Sequence, residues 1–426
     1  MSQTSAAPAG TDKPVQYIHN LKNGLTLVGE AIPAVRSAAI TLLVPAGAAT
    51  DPAGQSGSAS VLSDWLLRGA GTRDSRALTG YLDGLGVQRS SQAETVFLRL
   101  SASLLGKNLM AVLPVYADIV RRPMLPEDGY APALDLALQQ LDAIEDEPSH
   151  KLSLLLRERH YPYPWGRPTV GKREELEALA AKQVRANFAA RFTPRGAILA
   201  VAGLFDWRQL VAAVEAAWGE WQPVAPAALP EKPAPRGNTH VTQETNQSQI
   251  GLAWDAIADA HPDSILLQTA LNVLSGGMGA RLFTEIREKQ GLCYSVHAGY
   301  ASLKQQGAVF GYAGTSPDRA QRTLDSYIVE LKRLTQGITQ DELDRAKIGM
   351  KSRVIMQGES SGARSGAIAY DFYHRGRTRT LDEMRALIEG VTLPRVNDFL
   401  AANPAKELTV VTIGPEPLQS GTMALD

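Results

Sequence analysis

The spacing of apolar positions changes repeatedly between a strand period and a helix period. Gln16-Tyr17-Ile18-His19, then Asn23-Gly24, then Leu25-Thr26-Leu27-Val28 form a hairpin pattern, because Asn-Gly favours tight turns whose twist suits two paired strands. The apolar run from Ala38 to Val44 predicts a buried strand. Over 58–68, Val61, Leu62, Trp65 and Leu66 fall on one face of a predicted helix. Strands are predicted at 95–103 and 197–202, and the clearest helices at 133–145 and 182–190.

The second half repeats this plan. A strand is predicted at 248–254 and a helix at 264–274. After the break Gly276-Gly277-Met278-Gly279, a helix runs to Lys289 with Arg281 and Leu282 beginning its packed face. Strands follow at 294–301 and 308–313, helices at 320–335 and 340–357, and a closing strand at 408–413. Between the halves, proline and alanine crowd residues 223–235. Such a run is extended and forms neither helix nor central strand. The sequence therefore divides into a domain at 15–222, a linker at 223–238 and a domain at 239–415, with an α+β fold duplicated about the linker.

Composition narrows the function classes. The chain has 426 residues and a net charge of -1, so nothing in it favours nucleic acid or an anionic membrane surface. No apolar stretch approaches the roughly 20 residues of a spanning helix. Cys293 is the single cysteine, which excludes an intrachain disulfide. Residues 1–10 are small and polar, without the basic start and apolar core of a signal peptide. They fit the mature end of an exported chain, so a periplasmic location is expected, with the cytoplasm as the alternative.

Two segments carry candidate chemistry. A zinc hydrolase needs about three protein ligands, an open position for water and a base. Two ligands at i and i+4 share one helix face, and a carboxylate between them can reach the water. In Gly57-Ser58-Ala59-Ser60-Val61-Leu62-Ser63-Asp64, followed by Leu66-Leu67-Arg68-Gly69, those places hold Ser60 and Asp64, with Ser63 between. Neutral hydroxyls are poor zinc ligands, and one carboxylate cannot hold the ion alone. None of the seven histidines pairs at i, i+3 or i, i+4.

The spacing resembles the inverted zinc motif of the pitrilysin/insulinase-like metallopeptidases, in the smaller subfamily that includes the mitochondrial processing peptidases and bacterial relatives. Members show Gly-x-Ala-His-x-x-Glu-His, then two apolar residues, a basic residue and Gly. Both His and the Glu are replaced here by Ser60, Asp64 and Ser63. The family's third ligand is a Glu six positions before an Asp-x-Pro; six before Asp146-Glu147-Pro148 stands Gln140. Glutamine keeps the size of Glu and loses its charge. No zinc is expected in this chain.

The stretch from Gly279 to Val296 resembles the family's C-terminal-half signature, in particular Arg281-Leu282-Phe283 and Arg287-Glu288-Lys289-Gln290-Gly291-Leu292-Cys293-Tyr294. The family's active-site Arg and Tyr, seven residues apart, correspond to Arg287 and Tyr294. A guanidinium and a phenol aimed at a developing oxyanion, or at the peptide beside it, stabilise the transition state of amide hydrolysis.

The resemblance covers about 15–415. It implies two homologous α+β domains, each a mainly antiparallel sheet packed by helices, forming half of a clamshell. It also implies a non-catalytic subunit, inert alone, that presents Arg287 and Tyr294 to unfolded peptide held by a zinc-bearing paralogous chain. A homo-oligomeric peptide-binding or scaffold protein without chemistry is the alternative, and a homodimer of this chain alone is compatible with either. A serine nucleophile at Ser60 or Ser63 has no nearby His and no nucleophile elbow.

Overall fold

A computed structural model describes residues 13–225 and 229–419. Two compact units emerge: residues up to 143 with 163–231 and 357–378, and residues 144–162 with 232–356 and 379 onward. The chain thus passes between units five times, at 143/144, 162/163, 231/232, 356/357 and 378/379. The sequence division at 223–238 follows the order of the chain, whereas the units exchange a segment across it. Within that linker, Pro226, Ala227 and Ala228 lie outside the described residues.

The first unit is built on a six-stranded sheet. Its strands are β1 (Val15–Asn20), β2 (Thr26–Ala31), β3 (Ser37–Val44), β4 (Gln88–Ala93), β5 (Leu98–Leu105) and β6 (Ile198–Gly203). Their order is β1-β2-β6-β3-β5-β4, antiparallel except for the β2/β6 pair. The predicted hairpin is β1/β2, with Gly24 in the left-handed region at φ +95°. One sheet face carries the main core, which includes Leu42, Trp65, Leu113 and Trp218. The helix Ser361–Arg375 packs on the other face, where Ile368 and Ala369 meet Val28, Leu43 and Ala200.

The second unit repeats this order with one strand fewer. Its strands are β7 (Asn238–Thr242), β8 (Ser248–Ala256), β9 (Ser295–Ser302), β10 (Gly307–Thr315) and β11 (Thr409–Gly414), ordered β9-β10-β8-β11-β7. Again all pairs are antiparallel except one, β11/β7. One face packs against helices Ser264–Ser275 and Ala320–Thr335. The other is covered by the helix Pro148–His160, whose Leu152 and Leu156 sit among Ala253, Val411 and Ile413. The same strand order and the same single parallel pair in both sheets make the duplication structural. The predicted helix through Lys289 is present as a π-helix, Leu282–Lys289.

Candidate functional site

The helix Ser58–Trp65 begins at Gly57, whose φ of +100° suits glycine. A Cβ there would lie 2.6 Å from Leu176 Cδ2. Buried Asp51 accepts from the backbone N–H of Gly57 (2.9 Å) and Ala59 (3.0 Å), satisfying donors that a helix start leaves open. Arg191 donates to the same carboxylate at 2.7 Å. Asn187 and Arg191 donate to Ser58 Oγ at 2.8 and 3.2 Å. Val61, Leu62, Trp65 and Leu66 are fully buried, as the apolar spacing predicts.

The four positions that the resemblance assigns to metal chemistry do other things. Ser60 is buried. Ser63 Oγ donates to the Ser60 carbonyl at 2.7 Å. Asp64 is paired with Arg68 one turn on, at 2.5 Å. Gln140 is exposed on the helix Glu127–Glu145. Among the described residues no group of three or more His, Cys, Asp or Glu is disposed to hold a metal. Two hydroxyls, an amide and a carboxylate already in an ion pair do not fit zinc.

Arg287 and Tyr294 lie in the second unit, on either side of a turn. Arg287 is exposed in the last turn of the π-helix, its guanidinium 4.8 Å from the centre of the Phe283 ring. It makes no ion pair among the described residues. π-Helices are rare, and they occur frequently at functional sites. Gly291 takes the left-handed conformation at φ +59° and turns the chain back. Cys293 is buried, which pushes its thiol up to about 11 against the opposing charge of Arg287. Tyr294 then precedes β9, its N–H donating to Gly314 O at 2.9 Å, while its side chain is 61% exposed.

Neighbouring motif residues are structural. Arg281 donates to Glu342 at 2.6 and 2.8 Å and to Gly337 O at 3.0 Å. A groove of about 390 Å³ opens along the edge strand β9, between Ser295, His297, Phe310 and Tyr312 and the helix residues Leu152 and Leu156, with neither Arg287 nor Tyr294 in its lining.

Two family models match in tandem. The one described as Insulinase (Peptidase family M16) matches residues 27–173, and the one described as Peptidase M16 inactive domain matches 178–350. The chain belongs to peptidase family M16. Among M16 relatives, an uncharacterized zinc protease of Mycobacterium tuberculosis is 26% identical over 407 residues, 93% of this chain and 92% of its own. YmxG, an uncharacterized zinc protease of Bacillus subtilis, is 26% identical over 402 residues, 93% and 98% of the two chains. The M16 inactive domain structure from Pseudomonas fluorescens superposes with a TM-score of 0.84 at 21% identity, over 96% of this chain and all of the other. A Helicobacter pylori protease gives 0.86 at 18% identity, over 94% and 100%. Arg287 and Tyr294 fall within the segment matched as inactive domain.

Sequence reasoning missed the residues that hold the turn between Arg287 and Tyr294, notably Thr315, Arg319 and Thr323. They come from β10 and the start of the following helix, so no local motif announces them.

Proposed function

We propose that this chain is the non-catalytic subunit of a heteromeric M16 zinc peptidase. It presents Arg287 and Tyr294 to an unfolded peptide whose scissile amide is attacked at the metal of a zinc-bearing paralogous subunit. The observation carrying this reading is an asymmetry of employment. Ser63 and Asp64 are engaged locally, with the Ser60 carbonyl and with Arg68 just past the helix end. Arg287 and Tyr294 are exposed, and Arg287, resting over the Phe283 ring, makes no ion pair among the described residues. A guanidinium and a phenol at the same turn are suited to bind a peptide carbonyl and the charge that develops on it. The groove along β9, the strand that Tyr294 precedes, gives room for side chains of an extended substrate.

The test is reconstitution with the zinc-bearing paralogue and a fluorogenic unstructured peptide. Neither chain alone should match the complex. Arg287→Ala and Tyr294→Phe should each lower kcat/KM by about 10²–10³, the usual effect of losing one transition-state donor. Rates unchanged by both substitutions would refute the role and favour a scaffold without chemistry.

A further inference from the structure

The turn joining Arg287 to Tyr294 is held by side chains from beyond the motif. Thr315 Oγ1 donates to Leu292 O at 2.5 Å, and Thr323 Oγ1 lies 3.3 Å from the same oxygen. Thr323 Oγ1 also lies 3.3 Å from Thr315 Oγ1 and 3.0 Å from Arg319 O. Both threonines are fully buried. Arg319 donates to Gly291 O at 2.8 Å, and Leu292 N–H closes back on Ile286 O at 3.0 Å. Two residues on, Tyr294 N–H is bound to Gly314 O, the neighbour of Thr315 in the chain.

We propose that Thr315 and Thr323 are positioning residues for the Arg287–Tyr294 pair, fixing the Leu292 carbonyl and with it the spacing from the π-helix to β9. A buried carbonyl needs a donor, and one hydroxyl would supply it. Thr323, whose one proton faces Arg319 O, Thr315 Oγ1 and Leu292 O, sets a second buried hydroxyl against the first and holds Thr315 in the orientation from which it donates. The π-helix ends one turn before this carbonyl, and β9 begins three residues after it. A rotation of the 292–293 peptide, which carries this carbonyl, would therefore move Tyr294 relative to Arg287. Small misplacements of donors are expensive, since a shift of about 1 Å can cost about 10² in rate. This inference rests on the functional reading above for its catalytic meaning, while the clamp itself does not.

Thr315→Val and Thr323→Val keep side-chain volume and remove the hydroxyl; Thr315→Ser restores it. Amide hydrogen exchange over 288–296 in this chain alone should quicken by about tenfold or more in each Val variant and return towards wild type in Thr315→Ser. In the reconstituted complex the Val variants should lower kcat by about tenfold with KM little changed, at melting temperatures that still leave the chain folded. Unchanged exchange in both Val variants overturns the clamp. Quickened exchange with wild-type kcat, in a complex that Arg287→Ala does slow, overturns the positioning role. If Arg287→Ala slows nothing, the functional reading fails, and the exchange measurement alone decides the clamp.

Discussion

Arg364 and Glu30 form a two-pronged ion pair at 2.7 and 2.6 Å, although 334 residues separate them. Both side chains are almost wholly buried. The pair fastens the helix Ser361–Arg375 to β2, beside hydroxyl contacts from Ser361 to Ser37 (2.8 Å) and Ser365 to Thr41 (2.9 Å). Removing one partner strands a charge in the interior. Arg364→Met should cost about 3–5 kcal/mol, and Glu30→Gln with Arg364→Met together less than the sum of the singles. Urea unfolding decides this; a single-variant loss under about 1 kcal/mol would mean that the charges are solvated.

Cutting the chain at the proline-rich segment should leave two poor fragments. Residues 1–222 lack Ile368 and Ala369, so Val28, Leu43, Ala200 and Ala202 would face water. Residues 223–426 lack Leu152 and Leu156 over Ala253, Val411 and Ile413. Each fragment expressed alone should aggregate, and co-expression should recover soluble material. Cooperative melting of an isolated 1–222 fragment would contradict this.

His160 predicts a pH dependence. Its ring is buried, with Nδ1 3.0 Å from Thr409 Oγ1 and Nε2 3.3 Å from Asp255, which Arg236 grips at 2.7 Å. Burial, helped by Arg236 and opposed by Asp255, lowers its pKa from 6.5 to about 4. The unfolded chain therefore takes up this proton first as pH falls. The contribution is intact above about 6.5, declines between 6.5 and 4, and is exhausted below 4. It amounts to at most about 3 kcal/mol. Stability measured against pH should be flatter over this window in His160→Gln than in wild type, and parallel curves would exclude the assignment.

Zinc binding should be absent from the natural sequence and recoverable. Titration calorimetry of the wild-type chain should give no stoichiometric binding. Ser60→His, Ser63→Glu, Asp64→His and Gln140→Glu together restore two imidazoles, a carboxylate ligand and a base, and should yield one site with Kd below about 1 μM. Loss of the Asp64–Arg68 pair should cost under about 1 kcal/mol. Equally tight binding by the wild type, or none by the variant, would count against the correspondence of these positions.

Much of this architecture is written locally. Apolar runs give β3, β6 and β8, Asn23-Gly24 gives the first hairpin, and the predicted helix at 320–335 is found at Ala320–Thr335. The exchanged helix Ser361–Arg375 escapes such reading because its buried face includes Ser361, Arg364, Ser365 and Asp371. Ser361, Arg364 and Ser365 are satisfied by partners far away in sequence, and Asp371 pairs with Arg375 one turn on, so no apolar stripe marks the face. The π register of 282–289 is likewise invisible, since one extra residue per turn leaves composition unchanged. At the candidate site, the resemblance points to Arg287 and Tyr294, while their exposure and the hydroxyls facing the Leu292 carbonyl emerge only from the assembled sheet.

Asp51 secures the start of the helix Ser58–Trp65 through backbone N–H groups and Arg191, at positions that none of the four metal-site residues occupies. The anchor of this helix and the positions that the resemblance assigns to a metal are thereby carried by different residues. The bonds that secure the helix start involve none of the side chains at 60, 63, 64 and 140. A chain of this fold can therefore exchange those side chains without loosening the anchor beneath them.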